Sequence, residues 1–172
     1  MAKLVNLQIN ELSKMRIIGK IVRPNLDMED NPIPALWGQC FNDGTFSILD
    51  ELTEHHIDSS YVGWMSDWNN DDGRFTYLCG MLMKPETPVP EGFVYRDIAA
   101  STVAIGWIQG LEKETYPVAH EFTQKAMDEH GYKEDEDALW CMELYNCPRF
   151  TKPMENGDII LDYYIPCKKK DN

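Results

Sequence analysis

The strongest constraint in this chain is an order of segments that occurs twice. Met15–Val22 is a compact apolar run that stops before Pro24, and it reads as a strand. A polar, proline-containing loop follows. Ile33, Leu36, Trp37, Cys40 and Phe41 then recur at helical spacing until Asp43-Gly44 ends the helix. Phe46, Leu49 and Leu52 add a further helical turn or two. Tyr61–Trp68 and Arg74–Met83 read as two strands joined by Asn69-Asn70-Asp71-Asp72-Gly73, a hairpin signal. Pro85, Pro88 and Pro90 punctuate a linker that closes at Gly92. After it the order returns. Strand-like material over Tyr95–Trp107 leads to a helix with Thr115 as its expected N-cap and Pro117 near its first position. Ala119, Phe122, Thr123, Ala126, Met127 and His130 form one face of that helix, and Gly131 stops it. Lys133–Asp137 reads as an acidic loop, and Ala138–Tyr145 and Asp158–Cys167 as the last strands. Strand, helix, strand, strand, written twice, predicts an α+β fold. Two such units pair antiparallel sheets edge to edge, helices cover one face, and the other face is open and concave, where small-molecule sites form.

Composition narrows the class. The 172 residues suit one domain with two modules, about 14–84 and 94–169, joined by the proline linker. Hydrophobic residues make up 43% and aromatics 11%, which excludes a disordered chain. Acidic residues number 29 against 16 basic ones, for a net charge of -13. That balance excludes direct nucleic-acid binding, which rests on Lys and Arg neutralising phosphates, and disfavours anionic membranes. Asn6, Gln8, Asn10 and Glu11 interrupt any signal-peptide core, and no run approaches a membrane span. The five cysteines are odd in number and form no CxxC pair, so reduced thiols and a cytoplasmic setting are expected. No cofactor or metal is expected. There is no GxSxG elbow, P-loop or GxGxxG, and His120-Glu121 begins a zincin-like string whose second histidine is replaced by Gln124. His55-His56 reads as a loop pair, and the closing Lys168-Lys169-Lys170 as a solvated end.

Strand alternation sorts the candidate site residues. In Ala138–Tyr145, Trp140, Met142 and Leu144 form a wholly apolar face, which is expected to pack on helices. Leu139, Cys141, Glu143 and Tyr145 form the other, placing one carboxylate amid a thiol, an aliphatic and a tyrosine. Such a carboxylate is either plainly solvated or, in a concavity, partly desolvated and suited to hold a cation or move a proton. Tyr77 is expected to line the same concavity as Tyr145, and Trp64, Trp68 and Trp107 are further aromatic candidates. Each ring face attracts a cation by about 0.5 to 2 kcal/mol. Aromatics around one buried carboxylate make a receptor for a flat or bulky cation. The bland reading of each ring is core packing.

With the doubled order and Glu143 in place, the sequence resembles the GyrI-like family, the effector-binding domain of AraC-type and BmrR-type multidrug regulators. The resemblance runs from about Met15 to Lys169. It rests on Met15-Arg16-Ile17-Ile18-Gly19 as the opening strand, Ala35-Leu36-Trp37 in the first helix, and Phe75-Thr76-Tyr77-Leu78-Cys79-Gly80 in the hairpin. It rests further on Val94–Gly110 opening the second half, Trp140-Cys141-Met142-Glu143-Leu144-Tyr145 as the strand of the family's central glutamate, and Asp162–Lys168 as the closing strand. The resemblance implies two βαββ modules in pseudo-twofold arrangement with a ligand cleft between them. It implies Glu143 as the partner of a ligand's positive charge and Tyr77, Trp107 and Tyr145 as liners. No helix-turn-helix precedes these modules, so a stand-alone member, monomer or homodimer, is expected. Three functions compete: a binding module for cationic, amphipathic or aromatic compounds; a hydrolase of cyclopropane-containing genotoxins using Glu143; and an acidic protein-interaction module such as a gyrase inhibitor. The binding module ranks first over an enzyme because nothing in the chain positions a water.

Overall fold

The computed structural model describes residues 1–171, and their chain contacts divide into two compact units. Unit 1 comprises residues 1–13 and 100 onward, and unit 2 comprises residues 14–99. Nine strands and four helices lie among the described residues, and the strand ladders within each unit are antiparallel. No helix among the described residues is long and apolar enough to cross a membrane.

Unit 2 is built from strand β2 (Met15–Val22), helices α1 (Ile33–Asn42) and α2 (Thr45–Glu51), and strands β3 (His56–Ser66), β4 (Thr76–Met83) and β5 (Val94–Ile98). Its ladder runs β3-β4-β2-β5. Every residue of β4 is buried, as expected for a strand with neighbours on both edges and both faces covered. One face of β4 carries Tyr77, Cys79, Met81 and Met83 into a core shared with Leu36 and Cys40 of α1 and Phe46 and Leu49 of α2. The proline stretch lies inside this unit, since β5 follows it and pairs back onto β2.

Unit 1 repeats the order with β6 (Ser101–Gly110), helices α3 (Glu112–Thr115) and α4 (Ala119–Glu129), and strands β7 (Tyr132–Glu134), β8 (Trp140–Tyr145) and β9 (Ile159–Lys169). Strand β1 (Lys3–Leu12) completes it by pairing along β6. The ladder runs β1-β6-β9-β8, and β7 pairs with the far end of β9. Helix α4 packs on β6 and β9. Gly106 on β6 allows the close approach: a Cβ there would run into the side chain of Thr123, which is fully buried on α4.

The α+β class and the repeated strand, helix, strand, strand order hold, while several details differ. The N-terminal stretch is a strand. Tyr95–Trp107 is two strands separated at Ala99-Ala100, one in each unit. Thr115 closes α3, its hydroxyl donating to the Glu112 carbonyl, and Val118 occupies the N-cap of α4. Part of the expected acidic loop is strand β7. Trp68 falls in the turn after β3 rather than in a strand.

Candidate functional site

The face of the unit 1 sheet that carries Glu143 is fixed by register. Glu143 of β8 stands opposite Tyr163 of β9, and Tyr163 stands opposite Gly106 of β6. Directly opposed residues in an antiparallel ladder share a face. Gly106 abuts Thr123 of α4, and the Tyr163 hydroxyl lies 3.3 Å from Nδ1 of His120, also on α4. Glu143 therefore shares the helix-covered face with Cys141, Tyr145 and Tyr163. This reverses the expected assignment, which gave the helix side to Trp140, Met142 and Leu144. Those three are buried as well, so apolarity did not distinguish the two faces.

On that face Glu143 is half-buried, and Tyr145 donates a hydrogen bond of 2.6 Å to its Oε2. Burial pushes the Glu143 carboxyl up to about 7, opposed by the Tyr145 hydroxyl. The Tyr145 ring meets Phe150 edge to face at 4.7 Å between centroids. Cys141 is buried, and its thiol is pushed up to about 12, first by desolvation and then by the charges of Glu143 and Glu134. The Tyr163 hydroxyl donates to Cys141 Sγ at 3.1 Å. Beyond Tyr163, His120 Nε2 lies 2.9 Å from Glu134 Oε1, and Gln124 donates to the same oxygen at 2.8 Å. His120 beside it holds the Glu134 carboxyl below the usual carboxylate range.

A second carboxylate of this sheet supplies the contrast. Asp162 is 3% exposed, and Arg149 meets it in a two-pronged pair at 2.9 and 2.6 Å. Among the described residues no lysine, arginine or histidine forms such a pair with Glu143, whose surroundings are set by burial and Tyr145. Buried Asp162 has its cation from the protein, and half-buried Glu143 has none among the described residues.

The remaining expected site residues are dispersed. Trp107 stands opposite Asp162 and so lies on the face away from Glu143, with the Arg149 guanidinium 4.1 Å over its ring. Its ring face is already taken by a protein cation. Tyr77 is a core residue of unit 2, 2% exposed, and its hydroxyl accepts a 2.9 Å bond from Trp37 Nε1. A Cβ at Gly63 would strike that hydroxyl, so the glycine on β3 makes room for it. Trp64 is 6% exposed on β3, and its Nε1 has no hydrogen-bond partner among the described residues. Trp68 is half-buried in its turn. Among the described residues no group of three or more His, Cys, Asp or Glu is arranged to hold a metal. Sequence reasoning missed His120, Glu134 and the role of Tyr163. The sequence signal for them was slight: His120 stands next to Ala119 at the start of the helix face that Thr123 and Met127 continue.

The model of the GyrI-like small molecule binding domain matches residues 6–168. The chain belongs to the GyrI-like family. Solved structures agree on the fold. A Staphylococcus aureus MU50 protein is 17% identical with a TM-score of 0.67, the match covering 95% of this chain and 98% of that one. SAV2435, solved bound to tetraphenylphosphonium, is 14% identical with a TM-score of 0.68 over 95% and 94% of the two chains. A hydrolase encoded by lin2189 of Listeria innocua is 11% identical with a TM-score of 0.51 over 94% and 91%. No curated protein sequence matches the chain. The GyrI-like chain is thus a small-molecule-binding domain by family, with a carboxylate of unusual setting on the helix-covered face of its unit 1 sheet.

Proposed function

We propose that this GyrI-like domain binds cationic, amphipathic or aromatic small molecules, with Glu143 as the partner of the ligand's positive charge. The observation that carries this reading is the half-buried Glu143 carboxyl, which lacks the counter-ion that Arg149 gives Asp162. A desolvated carboxylate without a cation is destabilising when ionised, and an entering cation relieves that cost. The Tyr145–Phe150 pair beside it offers aromatic surface for a ligand's rings. A similar fold, SAV2435, has been solved with tetraphenylphosphonium, a cation of this class. The low identity makes that a guide to the choice of probe.

Ligand occupancy of the native state raises its apparent stability, by about 2.7 kcal/mol at a hundred times the Kd. Tetraphenylphosphonium is expected to raise the melting temperature of the wild type and to do so far less for Glu143→Gln. Equal stabilisation of both proteins, or of neither, would overturn the reading. Linkage adds a second measurement. Cation binding favours the ionised carboxylate, so at pH 6, below the midpoint near 7, binding releases protons. Calorimetry in buffers of different ionisation enthalpy counts them.

The hydrolase reading keeps one supporting observation. A carboxyl poised near 7 with a hydrogen-bonded tyrosine is the setting of a general base working at neutral pH. Turnover of a cyclopropane-bearing substrate by the wild type, abolished in Glu143→Gln, would place it ahead of simple binding.

A further inference from the structure

The contacts between α4 and the Glu143 face form a continuous line. It runs from Cys141 Sγ to the Tyr163 hydroxyl (3.1 Å), to His120 Nδ1 (3.3 Å), and from His120 Nε2 to Glu134 Oε1 (2.9 Å). Its inner end is buried: Cys141 is 6% and Tyr163 5% exposed. Its outer end is open, because Glu134 lines a groove between α4 and β7 together with Gln124 and Lys133.

The protons on this line can be counted. An ionised carboxylate only accepts, so Nε2 of His120 carries a proton toward Glu134. When His120 is neutral, Nδ1 is an acceptor. It takes the Tyr163 O–H, and the Cys141 S–H is left to donate to the Tyr163 oxygen. When His120 is charged, Nδ1 donates to the Tyr163 oxygen. The Tyr163 O–H then turns away from α4 and donates to Cys141 Sγ. In both states His120 Nδ1 and the Tyr163 hydroxyl are partnered, and the states differ by one proton on the imidazole, by the direction of a buried O–H and by where the Cys141 S–H points. Cys141 and Glu143 are two residues apart on the same face of β8, and Tyr163 stands across from Glu143. A turn of that O–H changes the dipole beside the Glu143 carboxyl, on top of the burial and the Tyr145 bond that dominate it.

We propose that His120, anchored by Glu134, is a positioning residue for the Glu143 site: its Nδ1 proton turns the Tyr163 hydroxyl either to α4 or to the strand positions carrying Cys141 and Glu143. This rests on the reading of Glu143 as the binding carboxyl and adds a proton-linked control of it. Among the described residues, the titratable and charged groups on this face are His120 and Glu121 of α4, Tyr132 and Glu134 of β7, Cys141, Glu143 and Tyr145 of β8, Tyr163, Cys167 and Lys169 of β9, and Glu11 of β1. Among the described residues, His120 and Glu134 join the buried hydroxyl to the open groove through hydrogen bonds.

The test needs no ligand, so its failure is separate from a failure of cation binding. The His120 titration is followed by NMR on the full chain carrying labelled histidine. An ionised Glu143 favours the state with charged His120, so Glu143→Gln is expected to lower the His120 midpoint. In a Tyr163→Phe background the same substitution is expected to have little effect. An equal shift in both backgrounds, or no shift in either, overturns the proposal. A second readout avoids dependence on the Tyr163 variant. The infrared S–H band of Cys141, identified by its loss in Cys141→Ala, is expected to move between pH 5 and pH 8 in Glu143→Gln. It should stay fixed when His120→Asn is added, because the amide does not titrate between those pH values. A band that still moves, or never moves, overturns the proposal.

Discussion

Glu143 and Asp162 are two acids of one sheet with opposite histories of neutralisation. Asp162 is held by Arg149, so Arg149→Met would strand a buried charge and is expected to cost about 3 kcal/mol or more, measured by urea unfolding. Glu143 behaves in the reverse sense. Its carboxyl is raised to about 7, so the folded state favours the neutral form. The associated stability is fully present below the ordinary carboxylate range and is lost as pH rises through about 7. Glu143→Gln cannot ionise. Its melting temperature relative to wild type is therefore expected to climb between pH 5 and pH 8, by a stability difference of about 1 to 3 kcal/mol at the upper end. A difference independent of pH would show that Glu143 is solvated after all. The chemical character of this residue was readable from the sequence, because one carboxylate alternated with a thiol and a tyrosine. Its face was not, because β8 is buried on both sides and binary pattern assigns a face only where one side meets water. Trp107 was misplaced with it: the one-residue step from Gly106 moves a side chain across the sheet.

Among the elements, the most legible were those with a strong period and a hard stop. Strand β2 has the predicted bounds, and α1 ends where Asp43-Gly44 ends it. Strand β1 escaped notice for a physical reason. Asn6, Gln8 and Asn10, which spoil a signal-peptide core, alternate with Leu7 and Ile9, and that alternation is the mark of a half-buried strand. Strand β7 has three residues and owes its form to the ladder with β9, a tertiary cause no local pattern carries. The seat of α4 makes a prediction at this scale. Gly106→Val would drive a branched side chain into Thr123 and push α4 off β6. It is expected to destabilise by about 2 kcal/mol or more in denaturant unfolding. It should also break the contact of His120 with Tyr163, visible as a changed His120 titration. A Gly106→Val protein as stable as wild type would mean that α4 is not seated there.

At the scale of the whole molecule, the charge of -13 surrounds the site with a negative field. The association rate of tetraphenylphosphonium is expected to fall as salt rises from 0.01 to 0.15 M, where the screening length shrinks from about 30 to about 8 Å. A rate indifferent to salt would show that the surplus acids play no part in capture. The two units differ in their continuity along the chain, and that orders events in time. Unit 2 is one unbroken stretch, residues 14–99, whereas unit 1 needs β1 from the start of the chain and β6, β8 and β9 from its second half. During synthesis β1 has no β6 to pair with until Ser101–Gly110 has left the ribosome, by which time every residue of unit 2 has been made. The ten residues of β1 thus wait for their ladder partner while the whole of residues 14–99 is made. Asn6, Asn10 and Glu11 along it are residues of the kind that discourages an edge from pairing with a neighbouring chain.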